Sequence, residues 1–166
     1  MTTIADNLQR VRARIATACS DAGREPTAVA LLAVSKTFGA DAVREAAAQG
    51  QRAFGENYIQ EAVAKIAALR LLGLQWHCIG PIQSNKTRLV AEHFDWVHTI
   101  ERLKIAERLS AQRPQGQPPL DVCIQVNIDG GPTKSGVLPH EAAALARAVA
   151  ALPRLRLRGL MTIPEP

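Results

Sequence analysis

The chain has 166 residues, of which 47% are hydrophobic, and a formal net charge of +5. This length and composition favour one folded domain with a substantial core and exclude a disordered chain. No apolar stretch approaches the roughly 18 residues of a membrane span, and residues 1–15 contain no apolar segment of a secretory signal, so we expect a cytoplasmic protein without membrane contact.

Strand and helix patterns alternate along the chain. A helical pattern of apolar residues over 3–22 predicts a leading helix, which Gly23 ends. Six strands are predicted over residues 29–34, 52–54, 74–79, 95–99, 120–128 and 155–161, and five helices between them over residues 41–50, 58–72, 84–93, 101–111 and 139–151. Asp41 is predicted as the N-cap of the first of these five helices, and Pro139 as the first residue of the last.

This alternation is typical of an α/β domain with a parallel sheet. No Gly-x-Gly-x-x-Gly motif follows the first strand, which speaks against a dinucleotide-binding fold. A TIM-type (β/α) barrel needs eight strands and usually about 200 residues or more. Read as a barrel, the chain forms one domain over residues 1–166, with one leading helix and about six of the eight strands, and it lacks the last two strand–helix units.

A lysine stands at the end of the first predicted strand. Residues 29–34 form a short continuous apolar run, typical of a buried parallel strand, and Ser35 and Lys36 follow it. Chemistry in β/α barrels takes place at the carboxyl ends of the strands, where a lysine nitrogen can be held to attack a carbonyl. The alternative is a lysine that ends a strand and points to water.

Polar groups are concentrated in the loops that follow the predicted strands. Nearly every such loop contains an amide, a hydroxyl or an amine, which indicates a site at that end of the barrel. Residues 131–136 match the start of a P-loop, but Val137 replaces its lysine, so no triphosphate site is predicted. His77 and Cys78 would point to opposite faces of one strand, so we predict no metal site and interpret His77 as a core or supporting residue.

The positive charge raises nucleic-acid binding as an alternative function. The densest basic groups, residues 10–14 and 154–158, are interpreted as solvated faces. Aromatic residues make up 4% of the chain, too few for a stacking platform, so we expect no nucleic-acid partner.

Five motifs in a fixed order carry a family resemblance. They are Ala33–Thr37, Phe54–Tyr58, Trp76–Lys86, Val126-Asn127 with Lys134-Ser135-Gly136, and Arg158–Pro164. Over its whole length the chain resembles the pyridoxal phosphate homeostasis (YggS/PROSC) family, whose members are similar to the N-terminal domain of alanine racemase. The resemblance implies a β/α barrel that holds pyridoxal 5′-phosphate (PLP) as a Schiff base on Lys36. It also implies a role in vitamin B6 homeostasis without known catalysis.

The residues that the resemblance places at the cofactor are Lys36, Asn57, His77, Asn85 and Lys134. Asn57 is expected near the cofactor ring, and His77, Asn85 and Lys134 are expected to line or support the mouth of the barrel. The resemblance implies PLP-dependent apo-enzymes as recipients of the cofactor, and a monomer. It implies no metal and no catalytic residue.

A PLP-dependent amino-acid racemase is the alternative within the same fold. Racemisation requires a base on each face of the substrate, and Lys36 could serve on one of them. Tyr58 is the chain's one tyrosine, follows Asn57 and is not placed to serve on the other face.

Two departures from the family pattern bear on cofactor binding. The family often has a second lysine two positions after the first, where this chain has Phe38. The family also continues beyond the segment that matches residues 159–164 with segments that carry the phosphate contacts. A phosphate dianion needs backbone N–H groups or cations. We therefore expect a C-terminally truncated product that retains the cofactor weakly or not at all. A non-functional product is the second alternative.

Overall fold

The computed structural model describes residues 3–166, which form one sheet covered by helices. The strands are β1 (Ala33–Val34), β2 (Ala53–Glu56), β3 (Gln75–Cys78), β4 (Trp96–Ile100), β5 (Leu120–Gln125) and β6 (Leu155–Met161). The α-helices are α1 (Ile4–Asp21), α2 (Ala40–Ala48), α3 (Ile59–Ala68), α4 (Thr87–His93), α5 (Leu103–Gln112) and α6 (Pro139–Ala150). None of these helices, within the described part of the chain, is long and apolar enough to cross a membrane.

The sheet is parallel throughout, and its strand order follows the chain order from β1 to β6. A helix lies in each crossover between neighbouring strands. This arrangement is the wall of a β/α barrel, so the predicted fold class, with six strands and a leading helix, is confirmed. Within residues 3–166, β1 and β6 are the two edges of the sheet because no pairing joins them.

An apolar core lies between the sheet and the helices. Trp76 and Cys78 on β3 belong to this core, and the ring of Trp76 lies 5.7 Å from that of Phe54 on β2. Val90 on α4 and Leu109 on α5 meet them from the helical layer, and both are fully buried. Because side chains alternate along a strand, the residues between these core positions face the inside of the barrel.

The two predicted helix starts have different outcomes. Pro139 is the first residue of α6, as predicted. The prediction that Asp41 caps α2 is wrong, since Gly39 is the N-cap. Asp41 lies in the first turn instead, where its carboxylate pairs with Arg44 at 2.8 Å and is favoured by the positive end of the helix.

The first strand is much shorter than the predicted range of 29–34, because its pairing with β2 is confined to Ala33 and Val34. The segment before β1 is held by a side chain instead. Gln51 Nε2 donates to the carbonyls of Leu31 at 2.8 Å and Ala53 at 2.9 Å. Arg12 donates to Gln51 Oε1 at 3.0 Å, so this arginine is tied to the fold rather than lying on a purely solvated face.

A buried arginine joins α4 to the loop before β5. Arg113 is 4% exposed, and its Nη1 donates to the carbonyls of Ala91 at 2.8 Å and Phe94 at 2.7 Å. Its Nε donates to the carbonyl of Pro118 at 3.0 Å. Three main-chain acceptors therefore depend on one guanidinium group.

Replacing this side chain should destabilise the domain. We expect Arg113→Met to lower the free energy of unfolding by about 3 kcal/mol, because three carbonyls lose their donor. Urea denaturation followed by circular dichroism measures the change. Arg88→Gln on α4 is the control, because Arg88 forms only an exposed ion pair with Glu92 at 3.7 Å and its loss should have little effect. An unfolding midpoint for Arg113→Met equal to that of the wild type would contradict the prediction.

Candidate functional site

The loops that follow the strands meet at one end of the sheet, because all strands run in the same direction. A cavity of about 530 Å³ opens between the loops after β2, β3, β4, β5 and β6. Its polar lining includes Asn57, Thr99, Glu101, Gln125, Asn127 and Lys134. The structure thus places amide, hydroxyl, carboxylate and amine groups around one opening.

Lys36 lies at the same end of the barrel, two residues beyond β1. It occupies the centre of a turn that the N–H of Phe38 closes by donating to the carbonyl of Ser35 at 3.1 Å. Within residues 3–166 the half-buried Lys36 takes part in no ion pair. The β1–β2 register, extended by two residues, places Lys36 opposite Asn57, which lines the cavity, although Lys36 is not one of the lining residues.

A buried ion pair lies directly behind this turn. Glu56 ends β2 with its side chain fully buried, and Lys65 Nζ on α3 lies 3.0 and 3.1 Å from its two carboxylate oxygens. Lys65 Nζ also donates to the carbonyl of Ser35 at 3.0 Å, and the Ser35 hydroxyl donates to Glu56 Oε2. Neither charged residue is among the site residues predicted from the sequence. The signal it offered was a glutamate at the end of an apolar strand.

Asn57 carries an unpartnered acceptor into the site. Its Oδ1 is buried and accepts no hydrogen bond from any described residue. The loop after β3 packs against it so closely that a Cβ atom on Gly80 would lie 3.1 Å from the Asn57 backbone. A buried acceptor without a donor costs free energy, so this oxygen is suited to a ligand or water that donates to it.

Lys134 lies on the opposite side of the cavity and is held by acidic groups. Its Nζ lies 3.1 Å from Glu165 Oε1 and 3.4 Å from Asp129 Oδ2, and it donates to the carbonyl of Ile163 at 3.1 Å. The hydrogen bond to Glu165 raises the pKa of Lys134; desolvation opposes this shift, and the hydrogen bond to Asp129 adds to it. The Lys134 amine is therefore committed to a structural role in the loop around it.

The glycine-rich loop before α6 is fixed to the rim by two polar side chains. Asn127 Nδ2 donates to the carbonyl of Gly131 at 3.0 Å, and its Oδ1 accepts from the N–H of Gly130 at 3.0 Å. Farther along the loop, the N–H of Gly136 donates to Glu101 Oε2. Gly136 has a φ of 112°, and a Cβ atom there would meet the backbone N of Asn127 at 2.7 Å, so only glycine fits.

His77 lies inside the barrel and is not a lining residue of the cavity. Its Nδ1 is 2.8 Å from His98 Nε2, its Nε2 is 2.9 Å from Gln75 Oε1, and its ring stacks on Trp96. Burial, and then the neighbouring His98, lower the pKa of His77 to about 4. Neutral His77 therefore braces the inner wall below the rim.

Two arginines complete this inner cluster. The guanidinium carbon of Arg158 lies 4.9 Å from the centre of the Trp96 ring, and Arg156 Nε lies 2.6 Å from Asp121 Oδ1. Arg156 and Arg158 are exposed, which agrees with the interpretation of residues 154–158 as a solvated face, and both also contact the inner wall. The guanidinium group of Arg158 packs on the Trp96 ring, and that of Arg156 pairs with the Asp121 carboxylate.

The structure divides the predicted site residues into two groups. Asn57 and Lys134 line one cavity, and Lys36 lies opposite Asn57 by strand register without lining it. His77 is turned to the inside of the barrel, and Asn85 is exposed on the short 3-10 turn Ser84–Lys86 and does not line the cavity.

The fold and the site define a β/α-barrel protein with a lysine beyond its first strand. The family model of the alanine racemase N-terminal domain matches residues 4–165. The chain is 64% identical over 166 residues to the pyridoxal phosphate homeostasis protein of Pseudomonas aeruginosa, an alignment that covers 100% of this chain and 72% of that protein. It is 59% identical over 169 residues to the Escherichia coli K12 protein of the same name, with the same coverage of 100% and 72%.

Among solved structures, PipY of Synechococcus elongatus PCC7942 with PLP bound matches with a TM-score of 0.75 and 41% identity. This match covers 90% of the present chain and 70% of PipY. The chain therefore belongs to the pyridoxal phosphate homeostasis family, and the resemblance identified from its five motifs is confirmed.

The low pKa of His77 makes stability depend on pH in a defined direction. The unfolded chain takes up a proton on this ring near pH 6.5, whereas the folded protein does so only near pH 4. The free energy of unfolding should therefore be fully maintained above pH 6.5. It should fall by about 2–3 kcal/mol through this residue as the pH drops to 4.

Urea denaturation at pH 7 and pH 4.5 tests this expectation. His77→Gln should show a smaller loss of stability between the two pH values than the wild type, whereas the exposed His140→Gln should behave like the wild type. The same loss in His77→Gln as in the wild type would show that another group causes the acid sensitivity.

Proposed function

We propose that this chain is a PLP-binding protein of vitamin B6 homeostasis that holds the cofactor on Lys36. The observation that carries the proposal is the placement of Lys36, which stands beyond β1 without an acidic partner among residues 3–166 and opposite Asn57, a residue that lines the polar cavity. A lysine nitrogen can attack an aldehyde only through its free electron pair, which an ion pair with a carboxylate would hold in the protonated form. The relatives named for pyridoxal phosphate homeostasis and the PLP-bound PipY support the choice of ligand.

The proposed bond uses one group of this chain and one of the cofactor. Lys36 would hold the cofactor as a Schiff base, in which its nitrogen is bonded to the former aldehyde carbon and the aldehyde oxygen has left as water with the two hydrogens of the amine. Bound PLP supplies a reactive aldehyde and an electron-withdrawing ring. On this proposal Asn57 would orient the ring beside Lys36, and its unpartnered Oδ1 supports that role.

The cavity has few cationic groups that could bind a phosphate dianion. Its cationic lining consists of Arg102 and Lys134, and Lys134 is already paired with Asp129 and Glu165. Arg102 is exposed, so its attraction for an anion is screened by water. These observations support weak retention of the cofactor by the 166-residue chain. The two open edges of the sheet support the further proposal that two more strand–helix units would complete the barrel.

We propose a carrier role rather than catalysis. A racemase would need a second base on the far face of the cofactor, and Tyr58 is exposed at the start of α3 and is not a lining residue of the cavity. On this proposal the chain acts as a cytoplasmic monomer and passes PLP to PLP-dependent apo-enzymes. His77 and Asn85 would contribute indirectly, His77 by bracing the inner wall.

Borohydride reduction identifies the lysine that holds the cofactor. We expect incubation with PLP, reduction and peptide mass spectrometry to find the label on Lys36, because it follows β1 opposite the cavity residue Asn57 and has no acidic partner among residues 3–166. Lys36→Ala should lose the visible absorbance and the label. Lys86→Ala is the matched control, since Lys86 also follows a strand at this end of the barrel, and it should label like the wild type. A label on Lys86, or none on Lys36, would contradict the proposal.

The amide of Asn57 should contribute to binding. We expect Asn57→Ala to raise the Kd for PLP about fivefold, the size of one lost neutral hydrogen bond. Titration followed by absorbance measures the constant. Gln83→Ala is the control, because Gln83 is an exposed amide that also lines the cavity and has no buried orphaned atom. Equal constants for Asn57→Ala and Gln83→Ala would show that the Asn57 amide does not contact the cofactor.

A further inference from the structure

We propose that Glu56 and Lys65 act as positioning residues for Lys36, a role that rests on the proposed function above. Neither residue lines the cavity, and both are buried behind the turn that carries Lys36. Together with Ser35 they form a hydrogen-bonded unit, here called the Ser35 clamp. The clamp sets where the main chain leaves β1 and therefore where the Lys36 nitrogen can reach.

The charges of the clamp pair with each other, and Glu61 Oε1 lies farther from Lys65 Nζ, at 3.6 Å. The Lys65 ammonium group donates to Glu56 Oε1, to Glu56 Oε2 and to the Ser35 carbonyl, at 3.0 to 3.1 Å. An ammonium group has three donors, so each of them has an acceptor. The Glu56 carboxylate also accepts from the Ser35 hydroxyl, which ties the side chain and the main chain of the same serine. A network with all its partners in place is rigid.

The turn that presents Lys36 depends on the same serine carbonyl. The Ser35 carbonyl accepts from Lys65 Nζ at 3.0 Å and from the N–H of Phe38 at 3.1 Å. Both of its lone pairs are therefore used, one to hold it in the core and the other to close the turn around Lys36. A loss of the first bond leaves the turn without its anchor.

The pairing of β1 itself contributes little to the position of the turn around Lys36. β1 has two residues and lies at an edge of the sheet. The N–H of Ser35 donates to the carbonyl of Gly55 at 2.9 Å, the last ladder bond before the turn. Such a short edge strand is weakly held by pairing alone, so the position of Lys36 depends on the clamp.

A stability role alone does not account for the clamp. Removing two charges from water carries a large cost, and apolar residues of similar size often replace a buried ion pair without loss of stability. The Glu56 and Lys65 side chains are 0% and 5% exposed, so nearly the whole of this cost applies. The pair also occupies the Lys65 nitrogen, which leaves the aldehyde to react at Lys36.

The double variant Glu56→Gln/Lys65→Met tests the proposal, because it removes both charges and leaves no uncompensated ion in the core. We expect PLP to label Lys36 about tenfold more slowly than in the wild type, in a folded protein, because misplacement of a reacting group lowers the rate. Timed borohydride quenching with peptide mass spectrometry gives the rate at Lys36. Arg113→Met is the control, since it destabilises the domain far from Ser35 and should leave this rate unchanged.

The possible results distinguish the positioning role of the clamp from the proposed function. If PLP labels Lys36 in the wild type and labels it at the same rate in the folded double variant, the positioning role alone is overturned. A wild type that is never labelled at Lys36 would overturn the proposed function and the positioning role together. Should the double variant not fold, Ser35→Ala replaces it. This variant removes the hydroxyl and keeps both charges, and we expect about threefold slower labelling. An unchanged rate in Ser35→Ala would then overturn the positioning role.

Discussion

The parallel, sequential order of six strands is the constraint on which the rest of this molecule depends. A helix must return the chain to the start of each new strand, so every loop that follows a strand emerges at the same end of the sheet. Ser35, Asn57 and Asn127 are far apart in sequence and yet meet at one rim for this reason. No single segment of the chain contains the site. The site exists only when the strand register is correct, which links the folding of the sheet directly to ligand binding.

Because side chains alternate along each strand, the two faces of the sheet carry different kinds of residue. The outer face and the helices share an apolar core, whereas the inner face carries polar and aromatic groups such as His77, Trp96 and Arg158. These inner groups bind one another through stacking and hydrogen bonds, and burial keeps His77 neutral. His77 thus has partners on both ring nitrogens, whereas the indole N–H of Trp96 is buried without a partner among the described residues. At the rim, Asn57 Oδ1 keeps an unused acceptor, which a ligand that donates a hydrogen bond to it would satisfy.

Sequence patterns predict the parts of the fold that are set by local spacing. The strand over residues 155–161 and the start of α6 at Pro139 agree with the structure because apolar runs and a proline carry their own signal. β1 is shorter than its apolar run because Gln51, twenty residues beyond Leu31, takes over the main-chain contact. The Glu56–Lys65 contact has no local signal, since a strand end and the next helix are brought together only by packing. Geometry of this kind follows from the tertiary structure alone.

Three lysines at this end of the barrel show why residue type does not determine function. Lys65 lies 3.0 Å from Glu56 inside the core, and Lys134 lies 3.1 Å from Glu165 at the surface, whereas Lys36 has no carboxylate within ion-pair distance in the described residues. A nearby carboxylate stabilises the protonated amine and so removes the electron pair that attacks an aldehyde. The placement of the acids therefore separates Lys65 and Lys134, which support the structure, from lysines without an acidic partner, of which Lys36 is one. In this chain the positions of the acidic residues define the site as much as the position of Lys36 does.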